Sequence, residues 1–76
     1  MYGVISVEQG HGLQVVLENG NYGSYVHLGN ETVESIVGGG DSVTVVTVPA
    51  NCRSHKNLYV YSLPSLTITS ATTMPA

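Results

Sequence analysis

The stretch from Gly38 to Pro49 constrains the fold more than any other part of the chain. Its glycine run frees the backbone to turn, and residues 43–48 are valine and threonine, whose β-branched side chains favour a strand. Its valines lie on both faces of such a strand, with Val43 and Val45 on one and Val46 and Val48 on the other. A strand that is apolar on both faces is usually covered on both. We therefore predict a central strand that ends at Pro49, in a small all-β domain.

The size and charge of the chain restrict its partners. A chain of 76 residues forms one domain with marginal stability, and its single cysteine excludes an internal disulfide. Such domains often depend on a metal or a partner subunit. Charged residues make up only 9% of the chain and the net charge is −3, which argues against binding of a nucleic-acid backbone.

Residues 13–28 predict a β-hairpin. Asn19-Gly20 lies between two alternating runs, which is typical of a two-residue type I′ turn. That turn pairs Leu17 with Tyr22 and Leu13 with Val26. It places five side chains on the core face: Leu13, Val15, Leu17, Tyr22 and Val26. The opposite face is polar except for Val16 and Tyr25, which are apolar positions outside the predicted core.

Residues 31–37 are compatible with two structures. As a strand, Val33 and Val37 share a face. As a helix of one or two turns, Asn30 is the N-cap, Gly38 follows the C-terminus, and Val33, Ile36 and Val37 form an apolar stripe. The flanking signals slightly favour the helix, and the β-branched content favours the strand.

Further alternating runs predict the remaining strands. Gly3–Glu8 is a first strand, Asn57–Leu63 is another, and Leu66–Thr69 alternates again before an extended arm from Ser70 to Ala76. The total is five to six short strands in a small barrel or sandwich, with a core at residues 1–64 and a C-terminal strand or arm at 65–76. The Gly-Asp turn that leads into a Val-x-Val strand resembles a feature of SH3-like and OB-like barrels.

The chemistry-bearing residues give weak patterns for a metal site or an enzyme. Cys52 and His55 form half of a zinc motif that His11 or His27 would have to complete. The same cysteine with a histidine base, oriented by Glu8 or Asp41, is the best nucleophile arrangement available. A β-domain of this size is expected to have little room for a ligand cavity of about 300 Å³ or more. We therefore predict no enzymatic activity, no cofactor and no metal.

The four tyrosines of the strands permit two functions. With Arg53, His55 and Lys56, a face formed by Tyr22, Tyr25, Tyr59 and Tyr61 would suit a binding module for a peptide, a sugar or a single-stranded nucleic acid. Tyrosine is also enriched at protein interfaces. The sequence favours this second function, with an interface formed by six residues: Val16, Tyr25, Tyr59, Tyr61, Leu66 and Ile68. Leu66 and Ile68 lie in a last strand without charges, which could add to a neighbour's sheet edge.

The chain is therefore predicted to be a non-enzymatic structural protein that acts in a homo-oligomer or a larger protein assembly. In its short length and its Val-, Thr- and Gly-rich, charge-poor composition it is similar to small decoration or cement proteins of phage capsids. Neither a signal peptide nor a membrane-spanning segment is apparent in the sequence. The expected site of synthesis is the cytoplasm, and the resemblance implies association with a virion.

Overall fold

A computed structural model describes residues 3–51, 54–63 and 65–75. These residues form a 3-10 turn at Glu8–Gly10 and seven strands: β1 (Gly3–Val7), β2 (Gly12–Val16), β3 (Tyr22–His27), β4 (Glu31–Gly39), β5 (Ser42–Pro49), β6 (His55–Ser62) and β7 (Thr67–Pro75). The all-β prediction is confirmed, but the described strands number seven rather than five or six. The described part of the chain contains no helix long and apolar enough to span a membrane.

The strands form two antiparallel sheets, so the fold is a sandwich and not a closed barrel. The three-stranded sheet has the order β1-β2-β3, and the four-stranded sheet has the order β4-β5-β6-β7. The core between them contains six buried apolar residues: Leu13, Val15, Val43, Val45, Tyr61 and Leu66. As predicted from the valine-rich stretch, β5 is an interior strand, paired with β4 on one side and β6 on the other.

Residues 31–37 belong to strand β4, so of the two predicted alternatives the strand is confirmed and the helix is wrong. β4 pairs with β5 along its length, and the register shifts between Val33 and Ser35. This bulge places one extra residue, Glu34, in β4. Val33 pairs with Thr47 and Ile36 with Val45, so both side chains face the core. Val33 and Ile36 are three residues apart, which is also the spacing of a helical stripe. In the structure they share a face because of the bulge.

The hairpin between β2 and β3 has a three-residue loop instead of the predicted two-residue turn. The Leu17 N–H donates to the Asn21 carbonyl at 2.8 Å, and the Gly20 N–H donates to the Leu17 carbonyl at 2.9 Å. Gly20 has φ +87°, a left-handed conformation that glycine adopts without steric cost. A type I turn followed by a left-handed glycine is a common hairpin of this length.

A bulge in β3 restores the predicted register beyond that loop. Near the turn Tyr22 pairs with Val16, whereas farther along the strand Leu13 pairs with Val26 as predicted. The register shift between these pairs leaves β3 one residue longer than β2. Tyr22 therefore shares a face with Val16 and is 70% exposed, so its predicted core position is wrong.

The C-terminal residues form one continuous edge strand. β7 pairs with β6 from Thr67 to Pro75, so the strand at 66–69 and the extended arm at 70–76 are a single element as far as Pro75. The register shifts once, between Val60 and Tyr61 of β6. The other edge of β7 has no partner strand within the described chain.

Candidate interaction site

The outer face of the three-stranded sheet carries apolar side chains that point away from the core. Leu13 and Val15 of β2 are fully buried, so their neighbours Gln14 and Val16 point outward. The pairing then assigns residues of β1 and β3 to the same outer side. We call this surface the aromatic face; it consists of Ile5, Val7, Gln14, Val16, Tyr22 and Tyr25.

Three of these side chains are well exposed. Tyr22 is 70% exposed, Tyr25 47% and Ile5 43%. The residues that define the aromatic face include no lysine or arginine. Exposed aromatic and aliphatic side chains that share one face of a sheet are typical of a protein contact surface. Val16 and Tyr25, which the sequence predicted to lie outside the core, both belong to this face.

A polar cluster borders the aromatic face at one end. The Tyr25 hydroxyl donates to the Glu8 carboxylate, and the His27 Nδ1 lies 3.2 Å from the Glu8 Oε1. The hydrogen bond from Tyr25, followed by that from His27, lowers the pKa of Glu8, and the same contact with Glu8 raises the pKa of Tyr25. The cluster fixes the orientation of the Tyr25 ring at the surface.

The backbone beside this cluster adopts an uncommon conformation. Glu8 and Gln9 both have positive φ, at 55° and 58°. Consecutive residues other than glycine rarely occupy this region, and such strain is concentrated at functional positions. A Cβ at Gly12 would lie 2.6 Å from the Glu8 Oε1 and 3.2 Å from the Tyr25 Cε1. Glycine at position 12 thus makes room for the cluster.

Gln14 holds the centre of the aromatic face in place. Its side-chain amide donates to the carbonyls of Gly23 at 2.9 Å and Ser24 at 3.1 Å. These carbonyls lie at the bulge of β3, where the regular ladder is interrupted. The side chain therefore stabilises the irregular strand that carries Tyr22 and Tyr25.

The other predicted interface residues lie elsewhere in the fold. Tyr61 is 1% exposed and Leu66 is 5% exposed, so these two predicted interface residues lie in the core. Tyr59 is half-buried and packs against the core. Only Ile68 is well exposed, at 52%, on edge strand β7. The structure thus separates the predicted four-tyrosine face, because Tyr22 and Tyr25 point outward and Tyr59 and Tyr61 point inward.

The inward direction of Tyr59 is explained by a polar network around Glu31. The Glu31 Oε1 accepts hydrogen bonds from the Thr47 hydroxyl at 2.7 Å, the Asn57 amide at 2.7 Å and the Tyr59 hydroxyl at 2.9 Å. Thr47 is fully buried. Three donors on one carboxylate oxygen satisfy polar groups of β4, β5 and β6 at the edge of the core.

The network shifts the pKa values of its members. Burial disfavours the charged form of Glu31, but the hydrogen bonds from Thr47, Asn57 and Tyr59 outweigh burial and lower the pKa of the carboxyl. Burial and the neighbouring Glu31 raise the pKa of Tyr59 to about 12. Burial, followed by the charge of Glu31, also raises the pKa of Tyr61. The network is a structural contact between strands, and sequence spacing gave no signal for it.

The residues of the predicted zinc and nucleophile arrangements do not form a described site. Cys52 and Arg53 lie outside the described residues. The His11 Nδ1 lies 2.9 Å from the Glu31 backbone carbonyl oxygen, and His27 belongs to the Glu8 cluster. Within residues 3–51, 54–63 and 65–75, no group of three or more His, Cys, Asp or Glu side chains could hold a metal ion.

A cleft of about 430 Å³ opens between the two sheets at one end of the sandwich. The cleft exceeds the volume of about 300 Å³ for which so small a domain was expected to have little room, so that expectation is wrong. The cleft is lined by Gly3, Val4, Ile36, Gly38, Gly39, Gly40, Ser42, Val43 and Leu63. None of these lining residues carries an acid, a base or a thiol, so they offer no general acid, general base or strong nucleophile.

Comparison with known proteins gives no match. No family model fits the chain, and neither a curated protein nor a solved structure is significantly similar to it. The functional argument therefore depends on the surfaces described above.

Proposed function

We propose that this protein is a non-enzymatic assembly protein that acts in a homo-oligomer or a larger protein lattice, with the aromatic face as a contact surface. The observation that carries the proposal is the exposure of Ile5, Tyr22 and Tyr25 on the same outer face of one sheet. Tyrosine supplies a large contact area and loses little conformational entropy on binding, which suits it to such surfaces.

The energetics of such a contact are favourable. A contact that buries roughly 1,000 Å² of mostly apolar area gains about 25 kcal/mol before the costs of association, and most of that gain is offset by ordering. The aromatic face limits the ordering cost, because the Glu8 cluster and Gln14 already fix much of the surface. Its lack of lysine and arginine predicts weak dependence of assembly on salt.

Edge strand β7 is a second candidate contact. None of the residues Thr67–Pro75 is charged, and charges are a common means of preventing edge-to-edge pairing. Ile68 adds an exposed apolar side chain there. The similarity in composition to phage decoration and cement proteins supports a capsid as the setting of the assembly.

The test compares the solution mass of the wild-type chain with that of Tyr22→Ser. Tyr22 is 70% exposed, so its replacement leaves the core unchanged. Asn30→Ser, in an exposed turn, is the neutral control, and Ile68→Ser tests β7 in the same assay. Light scattering over about a hundredfold dilution measures the mass.

We expect wild type and control to assemble beyond the chain mass of 8.0 kDa and Tyr22→Ser to assemble less. Equal assembly of Tyr22→Ser and wild type would rule out the aromatic face as the contact. A mass of 8.0 kDa for wild type at every concentration would contradict self-assembly as the function.

A binding module is the second candidate function, and one observation favours it. Tyr25 lies beside the polar groups of Glu8 and His27, and Tyr22 is exposed on the same face; aromatic rings near hydrogen-bonding groups suit a sugar ligand. A panel of oligosaccharides titrated into the protein tests this candidate by tyrosine fluorescence. Binding that is lost in Tyr22→Ser, while the mass stays at 8.0 kDa, would support the module instead of the assembly protein.

A further inference from the structure

The outer face of the four-stranded sheet is apolar along its central strands, β5 and β6. Val43, Val45 and Thr47 of β5 are buried, so Val46 and Val48 point to the opposite side. The pairing of β4, β6 and β7 with this strand and with one another assigns their outward residues to the same side. We call this surface the valine face; its apolar members are Val37, Val46, Val48, Leu58, Val60 and Met74.

Within residues 3–51, 54–63 and 65–75, no further layer of strands covers the valine face. All strands of the described chain belong to the two sheets of the sandwich, and the three-stranded sheet occupies the other side. Val37 is 63% exposed, and the other five apolar members are half-buried by their neighbours within the sheet. A strand that is apolar on both faces, as β5 is, is usually covered on both. Among the described residues, only the inner face of β5 has such a covering layer.

The charges on this face are already neutralised. The Lys56 Nζ lies 2.6 Å from the Glu34 Oε1, and this ion pair spans β5 at one end of the face. The outward side chains of the four strands otherwise carry no charge among the described residues. A face with no unpaired charge needs no oppositely charged partner, and two identical copies can meet without repulsion between like charges.

We infer that the valine face packs against the same face of a second copy of this chain, in a two-fold symmetric dimer. The area is sufficient. Four strands at about 4.8 Å spacing and eight residues at about 3.3 Å each give a flat area of roughly 500 Å² per chain. Two chains then bury about 1,000 Å² or more, which reaches the size of a specific interface. A two-fold axis makes the contact self-complementary, since the same patch occurs on both sides.

This inference rests on the proposed assembly function and names its partner, but it uses the opposite surface of the molecule. In the resulting arrangement the valine faces form the dimer and the aromatic faces remain outside, where they can link dimers to one another or to a larger lattice. The two contacts can therefore fail separately. Tyr22→Ser is expected to leave the dimer intact and to stop assembly beyond it.

The decisive variant is Leu58→Lys, with Asn30→Lys as the control of equal charge. Leu58 is half-buried on the valine face, and in a monomer a lysine there can extend its ammonium group into water. In the dimer each chain would bury an unpaired charge. We expect the dissociation constant to rise at least about 100-fold in Leu58→Lys and to stay unchanged in Asn30→Lys, as measured by sedimentation equilibrium.

A measurement on the wild-type chain does not depend on the folding of a variant. Methyl resonances of the valine face, such as those of Val46 and Val60, are expected to shift on dilution, while those of the buried Val15 stay constant. A wild-type mass that stays at 8.0 kDa at millimolar concentration overturns the inference. A dimer whose dilution shifts occur only at Ile5 and Val16 also overturns it, because the aromatic face would then be the dimer contact. If Leu58→Lys forms a dimer as tight as that of wild type, the inference is also overturned.

Discussion

Replacing Tyr59 with phenylalanine removes one hydroxyl group and leaves the ring in place. That hydroxyl donates to the Glu31 Oε1 at 2.9 Å and lies 3.2 Å from the Oε2. A hydrogen bond to a charged group contributes about 1.5–3 kcal/mol. Since both residues are half-buried, water can replace part of the lost bond, and we expect a loss of about 1.5 kcal/mol in the free energy of unfolding. In a domain of this size that loss lowers Tm by roughly 6–12 °C.

Urea unfolding at pH 7 measures the loss, and a double-mutant cycle with Glu31→Gln assigns it to the carboxylate. If the hydroxyl stabilises the charge of Glu31, Tyr59→Phe costs less in the Glu31→Gln background, by about 1 kcal/mol. The reasoning would be refuted by costs equal to within about 0.3 kcal/mol in the two backgrounds. Such a result would mean that the hydroxyl acts through packing or through water.

The pH dependence provides an independent check on the same contact. The folded-state pKa of Glu31 lies below the ordinary value of 4.5, so its charge contributes stability that is complete above pH 4.5. This contribution is lost as the pH falls through the folded-state pKa. The difference in stability between wild type and Tyr59→Phe should therefore shrink on acidification below pH 4.5.

Three further predictions concern single residues of the fold and of the aromatic face. Glu31→Gln should flatten the decrease in stability below pH 4.5, measured by thermal unfolding; an unchanged decrease would contradict the role of this carboxylate. Gly12→Ala should displace the Glu8 carboxylate and return its pKa toward the ordinary value of 4.5, as measured by carboxyl NMR titration. An unchanged pKa would contradict the close contact between position 12 and the Glu8 Oε1. Gln14→Met keeps the side-chain length but removes the donor to the two carbonyls of the β3 bulge. It should lower the free energy of unfolding, measured in urea, by about 1 kcal/mol. An unchanged free energy would mean that water hydrogen-bonds those carbonyls equally well.

The hairpin shows how a local signal can be right about the element and wrong about its details. Asn19-Gly20 marked the turn correctly, but the chain closes it with three residues and compensates with a bulge in β3. A bulge depends on how the two strands pack on the core, which sequence periodicity does not report. For this reason Leu13 and Val26 were paired correctly, while Tyr22 was assigned to the wrong face.

The tyrosines of β6 show a second limit of sequence patterns. Alternation along β6 places Tyr59 and Tyr61 on one face and Leu58 and Val60 on the other. Both faces are apolar, so alternation could not tell which of them points inward. The carboxylate of Glu31, which is distant in the sequence, accepts the Tyr59 hydroxyl and makes the inward position favourable.

The sequence by itself determined that the chain is all-β and that β5 is an interior strand, and it located most of the strands and turns. These features depend on side-chain shape and on the period of two along each strand. The sequence also placed Val16 and Tyr25 outside the core. Only the tertiary structure decided that residues 31–37 extend along β5 instead of forming a helix, since the bulge at Glu34 directs Val33 and Ile36 into the same core. Only the stacking of the two sheets decided which apolar faces are buried and which remain exposed, because a strand pattern defines two faces but a partner layer selects between them.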